Sequence, residues 1–282
     1  MAGNPGNPTA VAASAGARTA RRLLCKVPEV TVFFWIIKIL ATTTGETFAD
    51  YLNMTLGLGL QTTTVVMGIA LIVALIAQFR ADRYIPWLYW LNVVLISIVG
   101  TLITDNLTDG LGVPLTVSTT VFSILLIATF IAWYAKEKTL SIHSIYTRRR
   151  EGFYWLAILF TFALGTAFGD MIAEKFSLGY PLALLLFAGL FALVAVATLG
   201  FKLNAVLGFW LAYILTRPLG ASLGDLLSQP RNAGGVGIGT TVTSVVFLAV
   251  IVALVAFLTV TKRDVGAAPT DGTASPRQVD PS

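Results

Sequence analysis

Five carboxylates and two cations stand inside apolar stretches of this 282-residue chain. Asp50, Asp105, Asp170 and Asp225 recur in one frame, and Glu46 lies one helical turn before Asp50. Arg217 and Lys38 supply the opposite charge. Carboxylate oxygens suit hard divalent ions such as Mg²⁺ or Mn²⁺. Carboxylates held close together also share protons. A charged side chain at the centre of a bilayer costs about 2.5–3.5 kcal/mol on insertion scales, so each needs a partner or a purpose. Two readings follow. In one, Glu46, Asp50, Asp105, Asp170 and Asp225 form a proton or metal-cation site. In the other, the Asp side chains cap amides of the adjoining loops and pair with Arg217, and their work is structural.

The elements that position these groups follow from the frame. Trp35, Trp90, Trp155 and Trp210 each precede a Gly by ten residues: Gly45, Gly100, Gly165 and Gly220. Each Gly precedes its Asp by five, giving GETFAD, GTLITD, GTAFGD and GASLGD. A frame that recurs four times without a gap is an internal repeat. On a helix turning about 100° per residue, the Asp stands within about 60° of its Trp and about 22 Å further along. Each Gly and the residue four on (Ala49, Thr104, Gly169, Gly224) make a small-residue stripe that lets helix backbones approach closely. The four motif helices are therefore expected to pack around one axis through their Gly positions. The Trp rings are expected at the membrane interface as anchors, with a gate or an aromatic cage for an organic cation as the sharper alternative.

Composition sets the class. The chain is 56% hydrophobic and 12% charged, with mean hydropathy +0.81. Eight apolar runs, near 30–50, 60–79, 86–105, 115–135, 153–173, 181–200, 203–225 and 240–261, each approach the ~20 residues that span a bilayer. The predicted fold is an all-α polytopic membrane protein of eight transmembrane helices in four parallel two-helix repeats. The second, fourth, sixth and eighth runs carry no Asp, Glu, Lys or Arg, which places them outside the ring. Fourteen of the 19 Lys and Arg flank one side, so the positive-inside rule puts both termini in the cytoplasm. The net charge of +5 is then a topology signal and requires no nucleic acid. The expected division is a disordered basic segment 1–28, membrane halves 29–135 and 153–262, a basic cytoplasmic loop 136–152, and a disordered tail 263–282. A cleaved signal peptide is not expected, because the first apolar run starts late and lacks a small-residue cleavage site.

The fourth repeat departs from the others at Arg217-Pro218. Proline removes a helix hydrogen bond, and a broken helix beside a buried Arg marks sites in transporter-like proteins; the plainer reading is that Pro218 only kinks the span while Arg217 neutralises Glu46 or an Asp. In the repeat frame Arg217 is equivalent to Thr42, Ser97 and Phe162, and Glu46 to Thr101, Thr166 and Ala221. Repeats one and four are neighbours in a closed ring, so Arg217 can neutralise Glu46. Lys38, one turn past Trp35, has a stem long enough to snorkel to the cytoplasmic surface.

The single cysteine, Cys25, excludes an intrachain disulfide and a Cys-based metal site. The single His143 sits in a basic loop as a solvated side chain. No metalloprotease, nucleophile-elbow, phosphate-loop or dinucleotide motif is present, and AFGD and SLGD lack the first Gly of membrane aspartyl proteases. No enzymatic activity and no cofactor are expected.

The opening Lys26-Val27-Pro28-Glu29-Val30-Thr31, the GETFADYL stretch and the four Trp-bearing repeats resemble an uncharacterised family of bacterial membrane proteins built from four tandem two-helix repeats. The resemblance covers about 26–262. It implies the architecture and a bacterial inner membrane, and carries no activity. From the residues, the expected function is transport of a small cation, a divalent metal ion or one coupled to protons, in the lipid bilayer. The alternative is a membrane scaffold or anchor in which the same carboxylates and Arg217 only lock helices together.

Overall fold

The computed structural model describes residues 25–265. Eight helices cross in turn: α1 (Val32–Asp50), α2 (Leu60–Arg80), α3 (Pro86–Asp105), α4 (Leu115–Glu137), α5 (Arg148–Asp170), α6 (Gly179–Leu199), α7 (Ala205–Ser228) and α8 (Thr240–Thr261). All are long and apolar enough to span a membrane. Helix starts carry ordinary signals. Thr31 and Thr147 cap α1 and α5, Asn204 caps α7 through two backbone N–H groups, and Pro86 opens α3. The even number of spans returns both ends of the described chain to one side, where Glu29 N–H donates to the Asp264 carbonyl. We call this side the Trp end and the other the Asp end.

The odd helices close a ring: α1 packs on α3, α3 on α5, α5 on α7 and α7 on α1. The even helices pack outside it. Over their most apolar stretches the ring helices are 56–83% buried and the outer helices 11–28%, so the outer layer is the one that meets lipid. Each outer helix packs chiefly on the motif helix of the following repeat: α2 on α3, α4 on α5, α6 on α7, and α8 back on α1. The ring is thus sealed head to tail, the last repeat covering the first.

The glycines explain the close approach. A Cβ at Gly45 would overlap Ser97, at Gly100 Phe162, at Gly165 Arg217, and at Gly220 Thr42. In every case the neighbour is the residue three before the Gly of the next repeat. One contact is therefore made four times, once per helix pair, and it requires the absent side chain. Side-chain hydroxyls add hydrogen bonds across the same seams. Thr42 donates to the Thr216 carbonyl at 3.1 Å and Thr104 to the Ala163 carbonyl at 3.0 Å.

The structure differs from the sequence expectation at four places. Pro218 does not break α7, which is helical from Ala205 to Ser228; the proline packs against Gly165 and Gly169 of α5, where no side chain opposes it. The expected disordered segment 1–28 ends in ordered chain: Lys26 and Val27 are buried, and the remainder, 1–24, lies outside the described residues. Likewise Asp264 is buried at the start of the expected tail, whose residues 266–282 lie outside the described chain. The basic loop is also shorter than 136–152, since α4 runs to Glu137, α5 begins at Arg148, and a short helical turn at Ile142–Ser144 fills the space between.

If the Gly seams set the helix spacing, Gly100→Ala forces its new methyl into Phe162 and the Ala163 backbone. It should lower stability by about 1–3 kcal/mol, the usual cost of overpacking. Gly68→Ala in α2 meets open space and should cost nothing. Thermal unfolding in detergent separates the two.

Candidate functional site

Arg217 lies at the centre of the ring. Extending from α7, its guanidinium donates to the Thr42 carbonyl of α1 at 2.9 Å, to Glu46 Oε2 of α1 at 2.6 Å, to Thr166 Oγ1 of α5 at 2.7 Å and to Thr101 Oγ1 of α3. One side chain thereby touches all three other motif helices. Thr101 also donates to Glu46 Oε2 at 3.4 Å. Glu46, Thr101 and Thr166 occupy the same repeat position, each just after the motif Gly, so the fourfold frame itself gathers them on the axis. Arg217 is fully buried, and the Glu46 side chain is 9% exposed. A buried pair of this kind is held by its geometry and by the hydrogen bonds that satisfy its remaining atoms; removal of either partner alone strands a charge.

Towards the Trp end lies Lys38, with no exposed surface. Its Nζ stands 3.9 Å from the centre of the Phe162 ring and 4.1 Å from that of Tyr213, and no hydrogen-bond acceptor meets it among the described residues. The Arg217 guanidinium lies 5.8 Å from the same Phe162 ring. Snorkelling is therefore ruled out. The side chain points inward, and an aromatic layer separates it from the Trp end.

That layer corrects the expectation for the tryptophans. Trp90, Trp155 and Trp210 are buried and Trp35 is half-buried, so none is a simple interfacial anchor. Each motif Trp receives the aromatic residue that precedes the Trp of the previous repeat. Phe34 packs on Trp90 at 5.5 Å, Tyr89 on Trp155 at 5.5 Å, Tyr154 on Trp210 at 6.2 Å, and Phe209 on Trp35 at 5.8 Å. The collar closes as the Gly seam does. Inside it the Tyr89 and Tyr154 hydroxyls stand 2.5 Å apart, and Trp210 Nε1–H donates to the Leu140 carbonyl at 3.0 Å.

At the Asp end, Asp50, Asp105 and Asp170 are half-buried and Asp225 is buried. Glu46, Asp50 and Asp170 all act electrostatically on both Asp105 and Asp225, so the five carboxylates share one neighbourhood. Asp109 adds its charge to Asp50 and Asp105. The Asp50 and Asp105 side chains make no capping hydrogen bond to the turns that follow them. After Asp50, Asp105 and Asp170 the chain continues in wide, π-type turns at Tyr51–Thr55, Asn106–Gly110 and Met171–Lys175. Such turns are uncommon and recur at functional sites. Among the described residues, Asp50, Asp105 and Asp225 enter no ion pair, and Arg217 pairs with Glu46 instead. Glu46, Asp50, Asp105, Asp170 and Asp225 are the residues expected from the sequence to hold a metal ion. Among the described residues no group of three or more His, Cys, Asp or Glu side chains is placed to hold a metal ion.

Three parts of this site escaped sequence reasoning. The collar had a signal, since an aromatic residue stands directly before every motif Trp (Phe34, Tyr89, Tyr154, Phe209). Thr101 and Thr166 had one too, being equivalent to Glu46. The inward direction of Lys38 had none.

A family profile described as a repeat of unknown function, DUF347, matches the chain four times, at residues 33–84, 88–139, 153–203 and 208–264. The chain belongs to the DUF347 family. Each DUF347 match begins two residues before a motif Trp, so the profile and the Trp–Gly–Asp frame share one register. Neither a curated protein nor a solved structure matches. Within the DUF347 ring, the first and fourth repeats supply the charged centre, and the second and third supply its hydroxyls.

The Arg217–Glu46 pair can be tested by a double-mutant cycle. Arg217→Met and Glu46→Gln should each destabilise the protein, Arg217→Met by about 3–5 kcal/mol because it strands a buried carboxylate. The double variant should recover much of that loss. Thermal unfolding in detergent at neutral pH reads the cycle, and strict additivity would contradict the pairing.

Proposed function

We propose that this protein is a small-cation transporter coupled to protons, with the Trp end in the cytoplasm of a bacterial inner membrane. The observation that carries the reading is the gathering of equivalent carboxylates from all four repeats in one electrostatic neighbourhood, on the Asp-end side of the Arg217–Glu46 pair. A negative mouth concentrates cations and protons. Arg217 is the counter-charge that holds the centre closed, and Glu46 is the group that a proton or an arriving cation would release from it. Because the carboxylates do not form a tight metal-binding group among the described residues, protons or a loosely held hydrated cation fit the mouth better than a fully coordinated divalent ion. The orientation rests on the fourteen Lys and Arg on the Trp side. On this reading the protein is no enzyme and takes no cofactor.

A second reading has its own observation. The axis is filled by side chains at the Arg217 level, the Lys38 level and the collar, and a ring so closed also suits a scaffold or anchor.

Flux in liposomes decides between them. The transporter reading expects wild-type protein to move protons or monovalent or divalent cations down an imposed gradient. Asp105→Asn and Asp170→Asn should each cut that flux at least ten-fold while leaving the unfolding temperature within a few degrees. Wild-type protein that passes no ion under any gradient, together with Asp variants that lose only stability, would establish the scaffold.

A further inference from the structure

The KVPEVT opening does work that neither the ring nor the mouth explains. Residues 25–31 precede α1 and lie across the Trp end, tied to four separate parts of the chain. Lys26 Nζ donates to Glu151 Oε2 at 2.8 Å, at the start of α5. Gln78 of α2 donates to the other oxygen of that carboxylate at 3.1 Å. Both members of the ion pair are buried, with side chains 7% and 1% exposed. Lys26 N–H donates to the Ile145 carbonyl at 2.9 Å, and the Cys25 thiol approaches the Ile142 carbonyl at 3.5 Å. Glu29 meets His143 at 3.1 Å on the exposed side and reaches Asp264 through its backbone. Tyr84 then donates to the Asp264 carboxylate at 2.6 Å. Val27, Ile142 and Ile145 are buried in the same apolar cluster as Tyr89, Tyr154 and the collar tryptophans.

We propose that residues 25–31 are a latched lid over the Trp end of the ring, with the Lys26–Glu151 ion pair as the latch. The strap holds on by few apolar side chains and by one desolvated ion pair, whereas the ring beneath is held by repeated helix seams. Segments of that kind open locally at a smaller free-energy cost than the whole fold. Loss of one partner from the latch leaves a buried charge that only opening can rehydrate. Lifting the strap uncovers the collar, the last layer between the Trp end and Lys38. The lid holds whether or not the ring transports anything, because lid opening and ion flux are read separately.

Cys25, the only cysteine of the chain, sits in the strap and reports its position. Burial pushes its thiol up from the ordinary range, so a closed lid makes it slow to react. The test is the rate of maleimide labelling of the folded full-length protein in detergent. Glu151→Gln, and independently Lys26→Met, should raise that rate at least ten-fold with little change in helix content or in the unfolding temperature of the bundle. Glu29→Gln, which loosens only the exposed tie to His143, should raise it less. Labelling that is unchanged in both latch variants overturns the lid. Labelling that rises only in step with global unfolding, as denaturant is added, overturns it as well.

Discussion

The Arg217 guanidinium stands where four helices meet, and it finds its partners on all three of the others. That geometry needs the ring to be tight, and the ring is tight only because each motif Gly accepts the next helix against its backbone. Burying a guanidinium without partners would be prohibitive in hydrocarbon. Glu46, Thr101, Thr166 and the Thr42 carbonyl remove that penalty together, so the charge and the packing depend on one another. The centre already holds a second long cation, Lys38, over the same Phe162 ring as Arg217. The positions equivalent to Arg217 are Thr42, Ser97 and Phe162; all four pack on the Gly of a neighbour, and only Arg217 carries a charge on to the axis. The repeats diverge there because four identical residues could not share one axis.

Head-to-tail covering explains why the unit works as a set of four. A single repeat buries little of its motif helix against its own outer helix, which chiefly serves the next repeat. In an open array the first motif helix would lack its cover and the last outer helix its substrate. Closing α8 onto α1 removes both ends at once. The same closure recurs in the Gly seam and in the aromatic collar, where Phe209 meets Trp35. Three unrelated kinds of contact, an outer-helix face, a backbone approach and a ring stack, therefore follow one cyclic rule.

The spans, the fourfold frame and the inner place of the motif helices were legible in the sequence because they depend on residue type at fixed spacing. Apolar length, Trp, Gly and Asp carry that information directly. What stayed hidden depends on direction around the helix and on which helix comes next. Trp35 and its equivalents look like interfacial anchors when each helix is taken alone, and become a collar only once Phe34, Tyr89, Tyr154 and Phe209 are placed against them. Lys38 has a stem long enough to snorkel, yet the Phe162 and Tyr213 rings draw it inward. Pro218 carries a strong breaking signal, which the facing Gly165 and Gly169 absorb. The Lys26–Glu151 pair joins residues far apart in sequence, and nothing in either neighbourhood announces it.

Charge is layered along the axis: carboxylates at the Asp end, a guanidinium and a lysine at the centre, and neutral aromatic rings at the Trp end. The order matters physically. On the proposed reading, a cation drawn to the acidic mouth meets the field of Arg217 and advances only when the Arg217–Glu46 pair separates. Glu46 belongs to both layers, since it binds Arg217 and also acts on Asp50, Asp105 and Asp225. Any charge that enters or leaves the mouth therefore changes the balance at the centre through that one side chain. A set of carboxylates serving only as helix glue would have no need of a member shared between mouth and plug. It is this sharing, more than the number of acidic groups, that makes the ring a candidate for moving charge.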